Sequence, residues 1–227
     1  MALEASTAVF WLIMTSTITA LKQQRRDPNR VNVYLDGKFA FGLTKVTAGW
    51  LQIGETLSSE KMEELRSTDE VEKAYLRALN FISYRPRSRM EVQRNLRKHS
   101  VPEEVIEETL GRLEEKKILD DLSFAQIWVE NRIAFRPRGR FALRSELRQK
   151  GLNDDLIEQA LLDIDEAELA RRAAEKKVRQ LNKLTESDFR KKLSAYLSRR
   201  GFEYSLVSEV CMESWKSIES RQQQQNS

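Results

Sequence analysis

Glycine and proline are scarce in this chain of 227 residues, at 8 and 4. An all-β sandwich or barrel needs a turn signal every ten residues or so, and this chain cannot supply them. One cysteine, Cys211, excludes a disulfide within the chain, and with one histidine, His99, no Cys/His metal cluster can be assembled. A Ser-His-Asp or Cys-His site would have to use His99. That residue falls in the last turn of a basic helix, where it meets the helix dipole favourably, and no motif places a nucleophile beside it. Long apolar runs are missing too: the most apolar, Ala8 to Met14, is about seven residues, against roughly 20 for a bilayer span. Glu4 precedes it and no Lys or Arg does, so it lacks the basic start of a signal peptide. The segment reads as an N-terminal extension, with Met14 as an alternative start. There is no Gly-rich phosphate loop or zinc-ligand spacing. Asp163 and Asp165 form a DxD pair, but residues two apart do not share a helix face, so they read as a solvated acidic surface. What remains is a cytoplasmic protein without catalytic residues, cofactor, metal or membrane attachment.

What the chain has in quantity is charge. Charged residues make up 33% and hydrophobic ones 40%, and 39 basic against 35 acidic residues leave a net +4. Aliphatic and aromatic residues recur along most of the length, which argues against disorder. Residues 17–45 read as β: 30–35 and 38–43 flank Asp36-Gly37, a dipeptide suited to the two positive φ angles of a type I′ hairpin turn. Residues 17–22 add a third strand, and 23–29 form a polar link. Short helical stretches at 47–51 and 59–66 lead into a wholly helical remainder.

That remainder repeats. A shift of 51 residues lays Arg85-Pro86-Arg87-Ser88-Arg89 on Arg136-Pro137-Arg138-Gly139-Arg140, and Leu96, Ile106 and Leu110 on Leu147, Ile157 and Leu161. A further shift of 50 carries Leu147, Gly151 and Ile157 onto Leu197, Gly201 and Val207 in a degenerate third copy. Each copy holds three helices. In the first, Val71, Ala74, Tyr75, Ala78 and Ile82 follow the spacing of one buried helical face. Ser88 with Glu91 forms a capping box at the second helix, and Pro102 opens the third. Asn153 caps the third helix of the second copy. Gly151 and Gly201 stand where the second helix must end in a left-handed residue; Ser100 holds that place in the first copy. Cys211 falls on the position of Leu110 and Leu161, as a small core residue. Residues 1–16 are thus an extension expected to be disordered, 17–68 the hairpin and short helices, 69–119, 120–168 and 169–216 the repeats, and 217–227 a polar tail.

Aligned by repeat, the charges separate. Residues 85–99 sum to +5 and 132–150 to +6, whereas 103–115 sum to −5 and 154–168 carry seven acids and no base. The second helices are basic and the third acidic, so stacked repeats could present a basic stripe and an acidic one. The Arg-Pro-Arg-x-Arg segment has two readings. It links helices and bonds their carbonyl ends, or its guanidiniums bind phosphates or carboxylates. Trp128, Tyr84 and Phe135 could stack on bases, but at helical spacing they read as packing residues.

Residues 30–43, Ser83-Tyr84-Arg85-Pro86-Arg87-Ser88, Phe124-Ala125 with Trp128 to Arg132, Arg136 to Arg140 and Glu146 to Gly151 together resemble the RecX regulatory proteins of bacteria. The resemblance covers about residues 17–210. It implies a mainly α protein of three tandem three-helix repeats in a curved array behind a small N-terminal β-hairpin or sheet. It also implies a monomeric regulator that binds the RecA filament on single- or double-stranded DNA and mainly inhibits its recombinase, ATPase and coprotease activities. The family brings no catalytic residues. On the residues alone, the RecA and DNA surface is assigned to Arg85, Arg87, Arg89, Arg136, Arg138, Arg140, Arg144 and Lys150, with Arg25, Arg26, Arg30 and Arg190 as weaker candidates. The alternatives are a direct DNA-binding helical module, or an α-solenoid scaffold without RecA dependence.

Overall fold

The computed structural model describes residues 15–225. Of the expected N-terminal extension, residues 1–14 lie outside the described residues, and Thr15 and Ser16 already belong to a strand. In chain order the elements are β1 (Thr15–Gln23), β2 (Arg30–Leu35), β3 (Lys38–Thr44), α1 (Lys45–Ala48), β4 (Thr56–Ser58), α2 (Ser59–Ser83), α3 (Arg89–Lys98), α4 (Glu103–Glu115), α5 (Asp121–Phe135), α6 (Arg140–Gln149), α7 (Asp154–Leu161), α8 (Glu166–Leu181), α9 (Glu186–Ser198) and α10 (Tyr204–Gln225). The architecture is mainly helical with one small antiparallel sheet, in the order β3-β2-β1-β4. Two differences from the sequence reading stand out. The fourth strand is added at 56–58, and the helix expected at 59–66 continues unbroken into the first helix of repeat 1. Similarly, most of the polar tail is the end of α10.

The chain divides into two compact units, one of residues up to 85 with 92–118, the other of 86–91 with 119 onward. In the first, Asp36 (φ 50) and Gly37 (φ 81) make the β2–β3 turn as their types require. The sheet buries Ile18, Val33, Leu43 and Leu57 against Ala48 and Leu65. Asp69 of α2, only 1% exposed, accepts the Thr44 backbone N–H. It also pairs with Lys73 at 2.6 Å and with Arg30 at 3.6 Å. A buried carboxylate is tolerable only with such partners. Asp69 thereby fixes the end of β3 to α2. Farther along α2, Glu72 receives Arg112 at 2.6 Å, whose guanidinium lies 3.9 Å from the centre of the Tyr75 ring.

The second unit holds two of the three-helix bundles. Phe124, Ala125 and Val129 of α5 pack on Leu143 and Leu147 of α6 and on Ile157 and Leu161 of α7. The same arrangement recurs in α8, α9 and α10, with Leu169, Ala173, Leu193, Leu197, Val207 and Cys211. Core positions related by the repeat shifts are buried alike: Leu96, Leu147 and Leu197 are all fully buried. Cys211 is buried as expected, and burial pushes its thiol pKa up.

The caps also repeat. Ser88 and Glu91 exchange N–H···O bonds of 3.4 and 3.3 Å, and Asn153 Oδ1 accepts from the Leu156 N–H at 2.9 Å. The second helices end at Ser100, Gly151 and Gly201, with φ of 57, 88 and 80°. After each, the next N–H reaches back to Leu96, Leu147 or Leu197 O at 3.3–3.4 Å, closing a Schellman motif.

Candidate nucleic-acid interface

The arginine-rich entries to α3 and α6 are built by Pro86 and Pro137. A proline disfavours helical geometry in the residue before it, and Arg136, at φ −146 and ψ 73, has left the helix. α2 and α5 therefore stop at the aromatic residue just ahead, Tyr84 capping α2 and Phe135 closing α5.

Within the second unit these entries serve as joints. Gly139 donates its N–H to Arg200 O at 2.9 Å, and Arg200 Nη1 reaches Pro137 O at 2.9 Å. Ser88, the counterpart of Gly139, donates instead through its hydroxyl, to Lys150 O at 2.7 Å. Lys150 returns a 2.8 Å ion pair to Glu91. In the first two repeats the first free N–H of the second helix is capped by a carboxylate at the start of the next repeat's first helix. Arg89 N–H donates to Asp121 at 2.7 Å, and Arg140 N–H donates to Glu166 at 2.9 Å. The contact is intimate because both helix-ending residues are glycine. A Cβ on Gly151 would lie 2.6 Å from Met90 Cβ, and one on Gly201 would lie 2.4 Å from Ala142 N.

The sequence-assigned residues occupy distinct environments. Arg138 pairs with Glu146 at 3.0 Å. Arg140 donates to Ile164 O at 2.9 Å and lies 3.8 Å from Glu166. Arg144 grips Glu158 through two bonds of 2.6 and 2.8 Å. Lys150 sits 4.9 Å from the centre of the Trp128 ring. Arg85, Arg87 and Arg89 also have interactions within the chain. Arg136 is exposed, and among the described residues no side chain pairs with its guanidinium. Of the weaker candidates, Arg25 and Arg26 are exposed in the link between β1 and β2. Arg30 is held by Gly42 O at 2.8 Å, and Arg190 pairs with Glu186 at 2.7 Å.

The basic second helices and acidic third helices do not form independent stripes, because each pair cross-links within its repeat. Arg97 binds Glu103 at 2.5 and 2.9 Å, and Arg148 binds Asp154 at 2.7 Å. The guanidiniums of Arg97, Arg148 and Arg144 hold the Glu103, Asp154 and Glu158 carboxyls, respectively, below their ordinary pKa.

Two features were not read from the sequence. Glu146 is a hub, accepting from Trp128 Nε1 and from Arg132, each at 2.7 Å, besides pairing with Arg138. Trp128 is accordingly a packing residue, tilted on Phe124 with Arg132 over its ring. Tyr84 and Phe135 are not: they are 76% and 80% exposed. The signal for this was the proline two residues beyond each ring.

Residues 16–58 match the regulatory protein RecX N-terminal domain. Residues 74–113, 120–161 and 164–211 match the first, second and third three-helix domains of RecX. The regulatory protein RecX of Bacillus licheniformis is 34% identical over 201 residues, covering 86% of this chain and 76% of the relative. That of Bacillus subtilis is 33% identical over 196 residues, covering 84% and 74%. A crystal structure of regulatory protein RecX superposes with a TM-score of 0.72 at 29% identity, over 86% of this chain and 98% of that one. The crystal structure of RecX from Lactobacillus salivarius gives 0.59 at 28% identity, over 64% and 97%.

Proposed function

Because the chain belongs to the RecX family of regulatory proteins, we propose that it binds the RecA filament on DNA and restrains its ATPase, strand-exchange and coprotease activities. The observation that carries this reading is the recurrence, one repeat apart, of an arginine-rich entry to the second helix, seated on a rigid proline-defined turn. A filament on DNA offers phosphates along an extended groove and carboxylates on its walls. A basic helical array meets such a surface with many modest ionic contacts rather than one pocket. Arginine suits both anions because its planar fork binds either one bidentately.

The proposed contact set is Arg85, Arg87, Arg89, Arg136, Arg138, Arg140, Arg144 and Lys150. Those already in ion pairs exchange a carboxylate of the chain for an anion of the filament, so their net contribution is small. Arg136 gives up no side-chain partner on binding. Its reversal is the sharpest test, because Arg136→Glu disturbs no ion pair of the fold. In a RecA ATPase assay on single-stranded DNA, the concentration of Arg136→Glu needed for half-inhibition should rise about tenfold, equivalent to about 1.4 kcal/mol. Unchanged potency, with an unchanged circular dichroism spectrum, would refute this surface as the contact.

A further inference from the structure

We propose that Tyr84 and Phe135 are stacking platforms for the bases of single-stranded nucleic acid. The inference deepens the reading above by naming what the arginine-rich entries hold besides phosphate. Three observations support it. First, both rings stand in water, 76% and 80% exposed, while Phe124, Tyr75 and Phe189 of the same bundles are buried. Second, the two rings hold the same repeat position, and the third copy has Thr185 there. The exposed ring therefore recurs with the Arg-Pro-Arg entry, whereas the exposed Phe141 and Tyr204 have no exposed aromatic counterpart one repeat away. Third, the surroundings in sequence are cationic and polar. Ser83, Arg85 and Pro86 flank Tyr84, Ala134 and Arg136 flank Phe135, and all five are exposed.

A docking site for an apolar protein surface would extend the ring into a contiguous hydrophobic patch. An exposed ring adjacent in sequence to an exposed arginine matches instead the alternation of base and phosphate along a single strand. The ring takes the face of a base and the guanidinium takes the adjoining phosphate. A duplex hides its base faces in the stack, so the arrangement selects unpaired strands. Because every base has a π-face, the binding is tolerant of sequence. Pro86 and Pro137 restrict the backbone of Arg85 and Arg136, which limits the ordering needed on binding.

The test uses the full-length protein and DNA without RecA, so that it can fail separately from the RecA reading. Fluorescence anisotropy is measured with a labelled oligothymidine 20-mer and with a hairpin duplex at low salt. Tyr84→Ala and Phe135→Ala should each weaken single-strand binding about tenfold, and the double variant about a hundredfold, with duplex binding and thermal unfolding unchanged. Phe135→Trp should keep its affinity, and its emission should be quenched by the single strand. The proposal is overturned if the double variant binds the single strand like the parent, if single-strand and duplex binding fall equally, or if the parent does not bind the single strand. It is also overturned if only affinity for RecA filaments falls, which would make the rings contacts to protein.

Discussion

Replacing Gly201 by alanine places one methyl group in the joint between α6 and the end of α9. At φ 80 an L side chain stands in the left-handed region, at about 1–2 kcal/mol relative to glycine. The stiffer unfolded chain offsets about 0.4–1 kcal/mol of that. The added Cβ would lie 2.4 Å from Ala142 N and 2.5 Å from Ala142 Cβ. Neither is the far end of a flexible side chain, so α6 itself must move, and overfilling a packed contact costs about 1–3 kcal/mol. As α6 withdraws, the bond from Gly139 N–H to Arg200 O and that from Arg200 to Pro137 O lengthen beyond 2.9 Å. Each is worth about 1 kcal/mol. The expected loss is about 3–7 kcal/mol. Followed by far-ultraviolet circular dichroism in urea, the midpoint should fall by about 1.5–3.5 M at a slope of about 2 kcal/mol per M. Gly111→Ala is the control. Its Cβ meets nothing within 4 Å inside α4, and alanine there should be neutral or stabilising by up to about 1 kcal/mol. A Gly201→Ala midpoint within about 0.3 M of the parent would refute the joint as a close-packed contact.

Glu146→Gln should destabilise by about 2–3 kcal/mol in the same assay, because it withdraws the charge from the Trp128 N–H and from two half-buried arginines; a change under about 0.5 kcal/mol would contradict the hub. Ser100→Gly should stabilise by about 0.5–1 kcal/mol, since Ser100 holds φ 57 where its counterparts are glycine, and a lower midpoint would contradict it. Glu103, Asp154 and Glu158 have pKa values lowered by Arg97, Arg148 and Arg144. Their stabilisation is therefore present above the ordinary carboxylate range and is lost as pH falls through the lowered values. Urea midpoints should be level above about pH 5 and decline below about pH 4, with a smaller decline in Arg97→Gln/Arg144→Gln; an equal decline in that variant would show that these pairs are not responsible.

How much of this was legible in the residues depends on the range of the interaction. The shifts of 51 and 50 residues located the left-handed helix ends at Ser100, Gly151 and Gly201 and the buried Leu96, Leu147 and Leu197. Caps and core positions are written locally and repeated, so alignment of the copies reads them. The Asp36-Gly37 turn was readable for the same reason. β4 was missed because three residues carry no periodicity, and the unbroken α2 because its first turns bury only Leu65. The arginines were legible as a charge sum but not as partners. A turn between second and third helices brings Arg97 to Glu103 and Arg144 to Glu158, and no helical spacing announces such a pair. Periodicity assigned Tyr84 and Phe135 to packing because it continues to the last helical residue. The proline beyond each ring ends the helix where nothing covers the ring.

The proposed function has the protein prefer RecA assembled on DNA to bare DNA. The direct measurement is a titration of labelled protein against RecA filaments on single-stranded DNA, bare single strand and bare duplex, at two salt concentrations. Tightest binding to the filament is expected, weaker binding to the bare single strand and least to duplex. On the bare strand, log affinity should fall by about 0.7 per log of salt for each phosphate engaged. Equal affinity for filament and bare DNA, or no DNA-linked binding at either salt, would contradict the account.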